Sequence, residues 1–305
     1  MDTLVEGPHG CRLARRSLHI GAAGVAILHL LLHVAARRLL RAWIPTVELT
    51  AEARKNGQTP AGFYLMCGGH VTGAINALVV GPLGLWAAYH FLMGSFNPSD
   101  TVFVHDYAEG MDDAGPEPQL CRVFLVSTIG AVFFAGYILF LNVCLLTGWD
   151  WGADNVVHHL VFLALTCTTL HYGTLFPELG LFAMAMELST PFKNAYLVCR
   201  EVRHLEPYAD DAGLVFAISF LLVRTGLFTA AIYRSTLLWL VDPAAFWRGP
   251  GATVPFGVVV ATQVFYVAGW LLQLWWSWAI VGKVWRAVAA KQVKAAEAVT
   301  DTKDK

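Results

Sequence analysis

Seven stretches of this chain are apolar over roughly the length that crosses a bilayer, and that constrains the fold before any motif is read. A membrane-spanning helix needs about 20 consecutive, mostly apolar residues. The runs lie at 18–40, 63–93, 122–147, 156–175, 180–199, 212–241 and 255–283. In hydrocarbon a segment of that length must satisfy its own backbone polar groups, so each run is expected to be a helix. Composition agrees: 56% of residues are hydrophobic and 14% charged, with a mean hydropathy of +0.54. A soluble domain carries about 25% charge. The net charge of -1 offers no basic patch and argues against a nucleic-acid partner. Eleven tryptophans suit the aromatic belts found at membrane interfaces. The expected fold class is an all-α polytopic membrane protein with seven transmembrane helices.

The organisation along the chain follows from the gaps between runs. Residues 1–61 hold the first helix and a basic loop, 62–287 hold the other six helices, and 288–305 form a charged tail. The fourth and fifth runs are separated only by Phe176-Pro177-Glu178-Leu179, so a tight helical hairpin is expected. Residues 95–120 are acidic, rich in Gly and Pro, and read as a loop. Arg37, Arg38, Arg41, Arg54 and Lys55 follow the first run, Arg200 and Arg203 the fifth, and Lys283, Arg286, Lys291 and Lys294 the seventh. With seven spans these three clusters share one side, which the positive-inside rule makes cytoplasmic. The N-terminus is then lumenal and the C-terminus cytoplasmic, although Arg12, Arg15 and Arg16 weigh against it. The six cysteines are scattered and read as small buried hydrophobes rather than a disulfide framework.

Ionisable groups inside a span cost a few kcal/mol and need a reason to be there. His158 and His159 open the fourth run. Adjacent residues point about 100° apart on a helix, so one ring can face a cavity while the other meets a neighbouring helix. A neutral imidazole is a candidate general base, and a capping pair without chemistry is the plainer alternative. In the fifth run Glu187, Thr190, Pro191 and Asn194 share one helix face. Pro191 lacks an N–H and crowds the Glu187 carbonyl, which predicts a kink and a freed carbonyl beside the carboxyl and amide. The alternatives are a purely structural kink and the wall of a lipid-headgroup cavity. Arg224, in the sixth run, needs a carboxylate partner, and Glu187 is the expected one. His70 and Asn76 lie about 240° apart around the second helix, so they need not share a site. His29 and His33 are a lone i, i+4 pair, too little for a metal centre, so no metal is expected.

Five pieces of this chain resemble the TLC-domain family. They are Ile75–Trp86 "INALVVGPLGLW", Gly136–Phe140 "GYILF", Val157–Leu165 "VHHLVFLAL", Met186–Val198 "MELSTPFKNAYLV" and Phe220–Phe228 "FLLVRTGLF". That family includes the ceramide synthases, the translocating-chain-associating proteins and several small TLC-domain-containing proteins, and the last group is the most similar. The acidic motif that ceramide synthases carry after their His-His is missing, and "MELSTPFKNAYL" stands in its place. The chain also departs from the small proteins. Asn76 stands where a His is common, and Leu141 and Asn142 follow Gly136-Tyr137 where an Asp is common. The resemblance implies a six-helix barrel preceded by an extra N-terminal helix. It also implies residence in the endoplasmic reticulum, or second in the plasma membrane, and a role in lipid metabolism and homeostasis.

Three functions compete. The first is a protein that binds lipid or fatty-acyl groups in its helix barrel and influences membrane lipid composition, using Glu187, Thr190, Asn194, Arg224, Asn76 and His70. The second is an acyl-CoA-dependent acyltransferase with His158 and His159 as catalytic residues. It would need no cofactor and take acyl-CoA as substrate. The third is a cargo or translocation accessory protein. Expected partners are membrane lipid or acyl-CoA, with a homodimer as a further expectation.

Overall fold

The computed structural model describes residues 4–6, 12–93, 118–146, 153–172, 177–233 and 255–303. The acidic stretch expected to be a loop falls almost wholly outside these. A short antiparallel ribbon, β1 (Leu4–Glu6) with β2 (Arg12–Ala14), precedes the helices. It runs straight into α1 (Arg15–Trp43), followed by the short α2 (Ala51–Lys55) and the long α3 (Pro60–Met93). Then come α4 (Pro118–Leu146), α5 (Ala153–Tyr172) and α6 (Pro177–Ala185). A 3-10 turn (Met186–Ser189) joins α6 to α7 (Thr190–Glu201). A second 3-10 turn (Arg203–Tyr208) leads to α8 (Ala209–Phe220), a π-helical segment (Leu221–Leu227) and, after the undescribed 234–254, α9 (Phe256–Lys303).

The described part of every apolar run therefore lies almost wholly on helical backbone, and the architecture is that of an all-α membrane protein. Among the described residues, four helical stretches are long and apolar enough to cross a bilayer: Leu18–Trp43, Pro60–Trp86, Arg203–Tyr233 and Phe256–Arg286. Thr128–Cys144 and Val156–Thr168 are shorter apolar helices. The fifth run, expected to kink at Pro191, is divided slightly earlier, at Met186–Ser189, into two short helices. The Pro177-Glu178-Leu179 part of the expected hairpin turn is already helical, with Pro177 as the first residue of α6. Proline suits that position, where its missing N–H would have had no helical partner.

α3 is the central rod. It packs on α1, α4, α6 and α7. Close approach is bought with small residues, as is usual where no hydrophobic force draws helices together in lipid. A Cβ on Gly136 of α4 would stand 2.6 Å from Val25 Cβ and 2.7 Å from the Ala22 carbonyl of α1. A Cβ on Gly81 of α3 would stand 2.8 Å from Leu188, inside the 3-10 turn. Phe140, Phe182, Met186 and Phe228 fill the core between α4, α6 and the π segment. The outer faces of α1 (Ile27, Leu31, Leu39) and α9 (Leu271, Trp275, Trp278) are exposed and apolar. That is the pattern for a surface solvated by lipid rather than water.

His29 and His33 are buried in the α1–α4 interface, with His29 against Tyr137 and Phe140 and His33 against Phe140. Among the described cysteines, Cys67 and Cys144 are buried and Cys199 is half-buried, whereas Cys167 is exposed and departs from the expected burial. Beyond α1 and α7 the chain segments meet at one end of the bundle. Leu49 pairs with Val202, the Thr50 N–H donates to the Glu201 carbonyl (2.9 Å), and the Arg203 N–H donates to the Glu48 carbonyl (2.9 Å).

Candidate functional site

The break between α6 and α7 sets the site. The Thr190 N–H donates to the Glu187 carbonyl in the 3-10 turn, so the carbonyl expected to be freed by Pro191 is occupied. Pro191 sits in the first turn of α7, where no helical acceptor awaits its nitrogen. The break therefore falls just before the proline.

Arg224 enters this break from the π segment. Its Nη2 lies 3.3 Å from Glu187 Oε1, forming the ion pair that the sequence predicts. Nη2 also donates to Thr190 Oγ1 (3.1 Å), and Nε donates to Ser189 Oγ (2.8 Å). Thr190 Oγ1 in turn donates to Glu187 Oε2 (2.9 Å), so both carboxylate oxygens are engaged. The side chains are only 9% (Arg224) and 12% (Glu187) exposed. Such burial is tolerable because charge and hydrogen bonds are both matched. The wider π turn that carries Arg224 is the kind of insertion that collects at functional sites. It is held to α9 by a Thr225–Ser277 hydroxyl contact of 2.5 Å. One turn on, Trp270 Nε1 donates to Thr229 Oγ1 (2.9 Å).

A cavity of about 310 Å³ opens on this pair. His158, His159, Glu187, Thr190 and Arg224 all line it. Both histidines face the same space, which differs from the expected division between cavity and neighbouring helix. Their rings lie 5.3 Å apart, and His158 packs against Phe162 (4.6 Å) and Trp276 (5.2 Å). His158 Nδ1 is buried and has no hydrogen-bond partner among the described residues.

His70, Asn76 and Asn194 do not line this cavity. Asn194 is turned toward α3, where its Nδ2 donates to the His70 carbonyl (2.9 Å). Asn76 is fully buried in α3, with neither amide atom hydrogen-bonded among the described residues. Sequence reasoning missed Tyr137, Lys193, Trp276 and Lys283, all of which line the cavity. Lys193 was within the quoted "STPFKN" stretch, and its placement three residues after Thr190 was the available signal.

A second space of about 240 Å³ lies between α8 and α9. It shares Phe216, Ile280 and Lys283 with the first, so the two adjoin. Its walls include Tyr196, Leu214 and Val284, with Asp210 and Asp211 at the start of α8. The arrangement as a whole can accept a small polar group beside an ion pair and two imidazoles, next to an apolar groove.

A comparison with curated proteins yields no match. The model of the TLC domain matches residues 68–282, which include α4 to α8, most of α3 and the apolar part of α9. This chain belongs to the TLC-domain family.

Proposed function

We propose that this TLC-domain membrane protein binds lipid or fatty-acyl groups within its helix bundle and thereby influences membrane lipid composition. The observation that carries the reading is the cavity itself. One space of about 310 Å³ is lined at once by Glu187, Thr190, Arg224, His158 and His159. Ligand pockets run from about 300 to 1,000 Å³ and combine apolar walls with a few placed polar groups. This one is at the compact end, the size of a headgroup. The adjoining apolar groove supplies a path for a chain. The family resemblance supports the endoplasmic reticulum as the site of residence, and the basic clusters support a cytoplasmic C-terminus. The TLC unit is taken as 62–287, with seven spans in the whole chain.

A second reading, acyl transfer from acyl-CoA, is favoured by the convergence of both histidines on the cavity. In such a step the imidazole of His158 or His159 takes the proton from an amine or hydroxyl acceptor. The acceptor atom bonds to the thioester carbonyl carbon, the C–S bond breaks, and the proton passes to the departing CoA thiolate. A cargo role is less well supported. A transmembrane helix is about 10 Å across and 30 Å long, too large for either space.

The test is a lipid-retention and acyl-transfer assay on purified protein in nanodiscs, with labelled long-chain acyl-CoA and a panel of amine and lysolipid acceptors. Retention of lipid without turnover is expected for the folded wild type. Turnover abolished by His158→Ala or His159→Ala would replace binding with catalysis. A folded wild type that retains no lipid would remove the reading altogether.

A further inference from the structure

The cavity's charges do not balance. Among the described residues Glu187 is the one carboxylate that lines it, and Arg224 already holds it. Lys193 and Lys283 line the same space. Lys283 also borders the second groove, where Asp210 and Asp211 stand, so its charge has carboxylates at hand. Lys193 has only the field of Glu187, which it shares with Arg224 and does not reach at ion-pair distance. Among the described residues it makes no ion pair and no hydrogen bond, and it is exposed within a site flanked by Arg224 and two histidines. An ammonium in a partly hydrophobic site attracts an anion more strongly than it would in bulk water.

We propose that the cavity selects an anionic phospholipid by its phosphate, with Lys193 as the charge partner. This rests on the lipid-binding reading and names its substrate class. The phosphate sits against the Lys193 ammonium, above the closed Glu187–Arg224 pair. One acyl chain passes Phe216 and Ile280 into the apolar groove between α8 and α9, which those two residues join to the cavity. A zwitterionic headgroup would bring its own cation toward Lys193, Arg224 and Lys283, and is disfavoured. The compact volume favours a bare phosphate over a bulky nucleotide-bearing group. Phe216 is held in place by stacking on Tyr196 (6.1 Å, 13° between planes), so the passage between cavity and groove has a defined wall.

The test uses full-length delipidated protein offered equal amounts of dioleoyl phosphatidate and dioleoyl phosphatidylcholine, with retained lipid read by native mass spectrometry. Wild type is expected to prefer phosphatidate by about tenfold, the scale of one charge pair in a partly hydrated site. Lys193→Met should lose that preference while still retaining lipid, and Lys193→Arg should keep it. Thermal midpoints of all three confirm folded protein. An unchanged preference in Lys193→Met overturns the assignment, as does displacement of phosphatidate by palmitoyl-CoA or inorganic phosphate at equal or lower concentration. Retention of neither lipid by wild type sinks the lipid-binding reading instead, so the two failures are told apart.

Discussion

Glu187 and Arg224 illustrate what a lone charge in an apolar run demands. Removing one member of a buried pair leaves the other uncompensated, at a cost of about 3–5 kcal/mol. Glu187→Gln should therefore lower the thermal midpoint sharply, and the double variant Glu187→Gln/Arg224→Met should recover much of the loss. A fluorescence-detected melt in detergent compares them, and equal midpoints for wild type and Glu187→Gln would show that the pair carries no stability. Asn194→Ala loses one hydrogen bond to the His70 carbonyl, an effect of about 0.5–1.5 kcal/mol on the same assay. The ion pair was legible in the sequence because two ionisable groups in hydrocarbon have few other partners. The position of Lys193 was not. In an unbroken α-helix Lys193 would stand about 120° from Glu187. A 3-10 turn advances about 120° per residue instead of 100°, which brings Lys193 to about 60° from Glu187. Asn194 is instead drawn to α3, where it bonds the His70 carbonyl.

At the scale of elements, the helices are set by a few contacts that a side chain would obstruct. Gly136→Ala would drive a methyl group into the Ala22 carbonyl, which is backbone and cannot step aside. Overpacking of that kind costs about 1–3 kcal/mol. The expected outcome is a lower melting midpoint, with α1 displaced from α4. A spin-label pair on those helices would report the shift, and an unchanged distance and midpoint would refute it. The π segment was invisible in the sequence. "FLLVRTGLF" reads as an ordinary apolar helix, and its wider turn goes with the Thr225–Ser277 contact to α9. The division of the fifth run was half legible. Pro191 announced a disturbance, while its placement one turn earlier, at Met186–Ser189, goes with Leu188 packing on Gly81.

At the scale of the whole molecule, the segments after α1 and α7 are stitched together at one end, through Leu49–Val202 and the neighbouring backbone bonds. Single cysteines placed at Lys55 and His204 in a cysteine-free background should then react with a membrane-impermeant maleimide from the same face. The basic residues around them predict that this face is cytoplasmic, and labelling in sealed vesicles checks both points. Labelling from opposite faces would contradict the bundle. The Arg203–Glu48 pair at this end is more than half exposed on both sides, and Glu48→Ala should cost less than about 1 kcal/mol because water screens it. The sequence alone determined that this chain is helical and membrane-embedded. Only helices settle their own backbone groups over seven long apolar runs, and that requirement is local. It also determined that Glu187 would seek Arg224, since few other partners exist for either. The tertiary structure decided which side chains share the cavity. Phase around a helix is lost at every 3-10 turn or π segment, and those breaks go with contacts such as Gly81 with Leu188 and Thr225 with Ser277, which join residues far apart in the chain.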